Sequence, residues 1–144
     1  MPLHQIYHPV DAYSDKDKIE IAERITKMYT SIGLPPFYVV VLFHAVPSSS
    51  FYVGGRQTNK FIRVHTQHLA RAFNGDSERK RKSMEYLDVA LKPYTQDRGY
   101  DWETHVTEVD RELWRENGLV PPLPGTEAEK VWVKENRAVP YSKL

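Results

Sequence analysis

Residues 37–45 (FYVVVLFHA) form a nearly continuous run of apolar, β-branched and aromatic side chains. This run predicts a strand buried on both faces, as in parallel strands covered by crossover helices. Between Ser14 and Gly33, apolar residues recur every three or four positions, which predicts an amphipathic helix. Residues 2–8 alternate loosely and precede a proline, which predicts a short strand. Together these segments predict a β-α-β unit over residues 2–46.

A second unit of the same kind is predicted over residues 51–110. Residues 51–57 contain a Gly-Gly pair typical of a short hairpin, and residues 61–66 (FIRVHT) favour a strand. Residues 77–91 favour a helix and residues 104–109 another strand. We therefore expect an α/β (α+β sandwich) fold, with a mixed four-stranded sheet covered on one face by two helices.

The remaining residues, 111–144, are predicted to form a proline-rich arm of the same single domain, 1–144. The prolines argue against a core strand or a long helix in this arm. An arm of this kind on a small domain often packs on a neighbouring subunit, which suggests an oligomer.

Composition narrows the function classes. The chain has no cysteine, which excludes a disulfide scaffold, a thiol nucleophile and thiolate zinc sites. A formal net charge of +1 gives no reason to expect nucleic acid or membrane partners, so a small molecule is the expected partner. The start of the sequence lacks the features of a signal peptide, so we expect a cytoplasmic protein.

Pro2 is the position most suggestive of chemistry, because it begins the first predicted strand. Initiator methionine is commonly removed before a small residue, and removal here would leave a secondary amine on Pro2. An α-amine has a pKa near 7.7–8.0, and burial or a nearby cation lowers that value. Such an amine can act as a general base or acid. The alternative is that Pro2 is an incidental second residue.

Two segments give the sequence a family resemblance: FYVGGRQTNKFIRVHTQH at residues 51–68 and RENGLVPPLPG at residues 115–125. With the proline-initiated strand, they resemble the tautomerase superfamily, and within it the branch of cis-3-chloroacrylic acid dehalogenase. The resemblance implies a homotrimer of duplicated β-α-β subunits with a MIF-like fold. It also implies a pocket with an amino-terminal proline at its bottom, arginines that bind a substrate carboxylate, and no cofactor or metal.

The resemblance assigns roles unevenly. Pro2 matches the catalytic proline, and Glu116 falls at the position of the water-activating glutamate. Tyr29 stands where the family has a histidine, so a phenol would replace it; the alternative is a core aromatic with a satisfied hydroxyl. After the corresponding strand, the family has two arginines that bind the substrate carboxylate, and here only Arg71 lies in that segment, between the two family positions. The alternative interpretation of Arg71 is a solvated helix residue.

Other candidates are weaker. Guanidinium groups bind carboxylates through two hydrogen bonds, which makes Arg56 a further candidate for the substrate-binding cation. The remaining substrate-binding candidates are His68, His105 and Trp114. His65 and His68 are three residues apart, but the sequence shows no third metal ligand near them, so we predict no metal site. The basic run at residues 79–82 is interpreted as the solvated face of a helix.

These observations favour a cofactor-independent tautomerase that acts on small 2-oxo or unsaturated carboxylates, such as phenylenolpyruvate. A hydratase or dehalogenase of 3-haloacrylate-type acids is the first alternative, because the glutamate is in place. A non-catalytic trimeric binding or structural protein that retains the fold is the second.

Overall fold

The computed structural model describes residues 2–142 and contains one four-stranded mixed sheet, a small hairpin and three α-helices. The strands are β1 (Leu3–Pro9), β2 (Val40–Val46), β3 (Tyr52–Val53), β4 (Arg56–Gln57), β5 (Phe61–His68) and β6 (Asp101–Glu108). The helices are α1 (Asp15–Thr30), α2 (Ser77–Leu91) and α3 (Glu127–Glu135). Within residues 2–142, no helix is both long and apolar enough to cross a bilayer.

Strand pairing confirms the predicted duplication. The sheet has the order β2-β1-β5-β6, while β3 pairs only with β4. Strand β1 runs parallel to β2, and β5 runs parallel to β6, so each pair belongs to one β-α-β unit. The two units meet through antiparallel β1 and β5, in which Leu3 pairs with Gln67. The predicted α+β fold class is therefore correct.

The side chains of the two central strands alternate between the helix-covered face and the other face. Ile6 on β1 and the pair Ile62 and Val64 on β5 are buried in the main core with Ile21 and Leu87 of the helices. Because successive strand side chains point to opposite faces, the residues between them lie on the uncovered face of the sheet.

The apolar run of the first unit differs from its predicted structure. Residues 36–38 form a 3₁₀ turn and β2 begins only at Val40, at the edge of the sheet. None of its residues is fully buried, and Leu42 is 44% exposed. The prediction of burial on both faces was wrong for the described chain, because only one face of the sheet carries helices.

The carboxy-terminal arm contains a short helix, α3, which the sequence analysis did not predict because of the surrounding prolines. Thr126 accepts a hydrogen bond from the backbone N–H of Glu129, which caps the start of α3. Trp132 on this helix is fully buried beside Tyr38, and its indole N–H donates to the Val139 carbonyl oxygen at 2.8 Å. The described part of the arm therefore packs on its own chain; residues 143–144 lie outside the described residues.

Candidate active site

Pro2 lies at the start of β1, beside the end of β5. It is buried, and its carbonyl oxygen accepts a hydrogen bond from the Val40 N–H at 3.0 Å. Leu3 pairs with Gln67, so the antiparallel register continued by one residue places Pro2 next to His68. Two residues that are 66 positions apart in sequence are thus brought together by one strand pairing.

Two adjoining cavities open at this end of the sheet, and both are lined by His68, Arg71 and Arg79. The larger, about 530 Å³, is called the polar cavity; its other lining residues are Leu69, Ala70, Ala72, Asn74, Glu108, Val109, Asp110, Arg111 and Pro124. The smaller, about 340 Å³, is called the apolar cavity; its other lining residues are Met28, Tyr29, Ser31, Ile32, Phe73, Lys82, Ser83 and Tyr86. Their volumes suit a small molecule.

Arg71 lies at the cleft as predicted, but an internal carboxylate already binds it. Its Nη1 donates to Oε1 of Glu129 at 2.8 Å, and the two side chains are 16% and 6% exposed. The other carboxylate oxygen of Glu129 accepts from the Gly125 N–H at 2.8 Å. Arg71 and α3 are therefore joined by a largely buried ion pair, which the sequence analysis did not anticipate.

Arg111 and Arg79 are the other two guanidinium groups at the cleft. Arg111 donates to the carbonyl oxygens of Ala70, Pro121 and Pro122, and burial lowers the pKa of its guanidinium. Arg79 lies in the first turn of α2, and within residues 2–142 its side chain has no acidic partner. Arg79 is exposed, as predicted for the basic run at residues 79–82, and its place at the cleft follows from the start of α2, which Asp76 caps.

Tyr29 is a core aromatic that also reaches the cleft, and its role toward a substrate stays a prediction. It is 8% exposed, lines the apolar cavity, and has its pKa raised by burial. Its hydroxyl oxygen lies 3.1 Å from Nε2 of His4, whose Nδ1 lies 2.8 Å from Oγ1 of Thr66. Burial, with a smaller contribution from His68, lowers the pKa of His4 from 6.5 to about 3.

His68 falls next to Pro2 in the strand register and lines both cavities. Its ring stacks on Phe73 with centroids 4.5 Å apart, and burial lowers its pKa while the Glu108 carboxylate opposes that effect. Its Nε2 has no hydrogen-bond partner among residues 2–142. A neutral imidazole with a free ring nitrogen is therefore present where both cavities meet.

Glu116 and Trp114 contact each other rather than line either of the two cavities. The Trp114 indole N–H lies 3.4 Å from Oε2 of Glu116, and the Arg111 guanidinium lies 5.3 Å from the Trp114 ring centroid. Glu116 bridges to Leu119 around a tight turn in which Asn117 has a φ of 48°. The structure thus brings this pair to the Arg111 side of the cleft.

Arg56 and His105 lie away from the cleft. Arg56 is an exposed residue of the β3-β4 hairpin. His105 stacks on His65 of β5 with centroids 4.3 Å apart, and their strand positions pair in register. Since the neighbours Val64 and Thr66 point to the helices, both histidines belong to the uncovered sheet face.

Within the described residues, no three potential metal ligands converge.

The buried His4 gives the stability of the protein a pH dependence. The unfolded chain binds a proton near pH 6.5 and the folded chain only near pH 3, so the unfolded state binds more protons between these values. We expect the free energy of unfolding to fall on acidification through this window, with a slope of up to about 1.4 kcal/mol per pH unit from this group. Urea titrations at several pH values should show a shallower slope for His4→Gln; equal slopes in both proteins would contradict the assignment.

Comparison with known proteins identifies the family. Residues 1–137 match the Tautomerase_3 family, described as "Putative oxalocrotonate tautomerase enzyme". The native RhCC structure from Rhodococcus jostii RHA1 is 42% identical, with a TM-score of 0.93 over 96% of this chain and 99% of that chain. A comparison with curated proteins finds no match.

More distant structures share the fold. N1, a member of the cis-3-chloroacrylic acid dehalogenase family, is 16% identical, with a TM-score of 0.72 over 93% of this chain and 97% of that chain. The R7 fused 4-OT, described as an asymmetric trimer, is 16% identical, with a TM-score of 0.65 over 82% of this chain and 94% of that chain. The match to the family model over residues 1–137 shows that the chain belongs to the Tautomerase_3 family.

Proposed function

We propose that the protein is a cofactor-independent tautomerase that interconverts the keto and enol forms of small 2-oxo or unsaturated carboxylates. The observation that carries the proposal is the register of β1 with β5, which places the buried Pro2 next to His68, a residue that lines both cavities together with Arg71 and Arg79. Family membership supports the reaction class. The reaction needs a base at the reacting carbon and a cation for the carboxylate, and this cleft has a candidate for each.

The proposed mechanism begins with removal of Met1, which converts the Pro2 nitrogen into a secondary amine. From keto to enol, the neutral amine takes a proton from the carbon next to the 2-oxo carbon, the enolate oxygen takes a proton from water, and the charged amine releases its proton to water. From enol to keto, the enol hydroxyl loses its proton to water and the charged amine gives a proton to that carbon. Arg79 and Arg111 lower the pKa of a nearby amine and stabilise the negative charge of the carboxylate and the enolate. An intact mass lower by one methionine residue is the first result that the proposal requires.

We further propose a homotrimer. Its support is the uncovered sheet face, which leaves β2 half-exposed although most of its side chains are apolar. A sheet face that no helix of its own chain covers is available to pack on another subunit. The trimeric state described for a fused 4-OT of the same fold is consistent with this arrangement.

Arg79 allows a specific test of carboxylate binding. We expect Arg79→Gln to raise KM for a 2-oxo acid about tenfold, because a charge-assisted hydrogen bond to the carboxylate is lost. Arg81 on the same helix is the matched control, since it pairs with Glu85 at the surface and lines neither cavity. Steady-state kinetics with Arg81→Gln should match the parent protein. An equal increase in KM for the two variants would show that the effect comes from the net charge of the protein and not from carboxylate binding by Arg79.

A further inference from the structure

The Tyr29 hydroxyl is the end of a buried chain of hydrogen bonds that begins on β5. Oγ1 of Thr66 lies 2.8 Å from Nδ1 of His4, and Nε2 of His4 lies 3.1 Å from the Tyr29 hydroxyl oxygen. The three residues belong to β5, β1 and α1, so the chain crosses the sheet and reaches the helix. Only Tyr29 lines a cavity, which makes it the point where this chain meets the cleft.

Complete pairing distinguishes His4 from other buried histidines. Both of its ring nitrogens have partners, whereas His8 and His68 each leave Nε2 unpaired within residues 2–142. His4 is fully buried, and burial keeps its pKa far below neutrality. The ring is therefore neutral and carries a single N–H, which must lie on one specified nitrogen.

The Thr66 hydroxyl decides which nitrogen that is. Thr66 is 1% exposed, and its hydrogen-bond partner among the described residues is Nδ1 of His4. A buried hydroxyl hydrogen needs an acceptor, so Nδ1 accepts and the imidazole proton lies on Nε2. Nε2–H then donates to the Tyr29 oxygen. The hydroxyl hydrogen of Tyr29 then has no acceptor among residues 2–142 and can point into the apolar cavity.

We propose that His4 and Thr66 are positioning residues that hold the Tyr29 hydroxyl as a hydrogen-bond donor to the carboxylate of the bound acid. The inference rests on the proposed function for the identity of the ligand. Arg79 lines the same cavity, so a carboxylate there meets a neutral donor from α1 and a cation from α2. With the opposite tautomer of His4, Tyr29 would donate to Nε2 and present only an acceptor, which repels a carboxylate.

The tautomer can be measured without any assay of activity. Nitrogen-15 NMR of the imidazole rings in the full chain should show His4 neutral at pH 7 with its proton on Nε2. A proton on Nδ1 would overturn the proposal, because the Tyr29 hydrogen would then be engaged by His4. This outcome does not depend on the proposed function, so the two can fail separately.

Kinetics test the consequence for binding. We expect Tyr29→Phe to raise KM about tenfold with little change in kcat, and Thr66→Val to raise KM about threefold, because the Tyr29 hydrogen is no longer directed. Thr66→Ser keeps the hydroxyl and should restore the parent KM. In a Tyr29→Phe background, Thr66→Val should have no further effect on KM, since both act on one hydrogen bond.

The matched control is Thr104→Val on β6, since the Thr104 hydroxyl has no hydrogen-bond partner among the described residues. It should leave KM unchanged. An unchanged KM in Thr66→Val would overturn the positioning role. The role would also be overturned if Thr66→Val raised KM as much in the Tyr29→Phe background as in the parent protein. Absence of turnover in the parent protein would instead contradict the proposed function, and the NMR measurement would still decide the proton position.

Discussion

Pro2→Ala is expected to lower kcat/KM for the enol of a 2-oxo acid such as phenylenolpyruvate by about a hundredfold or more, the range typical of general acid–base catalysis. Alanine keeps an α-amine after removal of Met1, but it loses the pyrrolidine ring that orients the nitrogen at the start of β1. The decay of enol absorbance measures the effect, and intact mass shows whether both proteins have lost Met1.

Pro9→Ala is the matched control, because Pro9 is a buried proline at the other end of the same strand. It is expected to keep the parent turnover once folding is verified by circular dichroism. A labelling experiment adds an independent measurement: a 3-halopropiolate should modify the free amine of Pro2 and stop turnover. Parent-like activity of Pro2→Ala, or labelling at another residue, would remove this nitrogen from the mechanism.

Glu129→Ala is expected to lower the free energy of unfolding by about 3–5 kcal/mol. The Glu129 side chain is 6% exposed, and its two carboxylate oxygens accept from Arg71 and from the Gly125 N–H. Its removal leaves the Arg71 guanidinium largely buried without its counter-charge, which costs far more than the loss of an exposed pair. Urea unfolding followed by tryptophan fluorescence measures the change.

Glu127→Ala supplies the matched control on the same helical turn. Glu127 pairs with Lys130, but its side chain is 86% exposed, so we expect a loss below about 0.5 kcal/mol. Similar losses in the two variants would show that the Arg71–Glu129 pair contributes no more than a surface pair. Kinetics of a Glu129→Gln variant also address Arg71: a lower KM would favour the prediction that Arg71 binds the substrate carboxylate.

Most of the sheet was predictable from the sequence, because a strand that is buried on one face alternates apolar and polar residues, and this alternation can be read locally. Helix α2 and the first residue of β5 agree with their predicted positions. The edge position of β2 was not predictable, since its composition resembles that of a strand covered on both sides. Helix α3 was missed because the surrounding prolines outweighed a short capping signal, Thr126 followed by Glu129.

The candidate site was predictable only in part. Tyr29, Arg71 and His68 were singled out and do meet at the cleft, and Pro2 follows from the register of β1 with β5. The contribution of Arg111 was not anticipated, because its position depends on carbonyl oxygens from two distant segments. The roles of all these residues stay predictions until the variants are measured.

The sequence by itself determined the duplicated β-α-β order and the family, because strand and helix periods and the segments at residues 51–68 and 115–125 are local properties. Only the tertiary structure decided that Glu129 forms an ion pair with Arg71 and that His4 forms hydrogen bonds with both Thr66 and Tyr29. Ion pairs and hydrogen bonds depend on distances of about 3 Å between groups far apart in sequence. Such distances are set by packing, which no local pattern specifies.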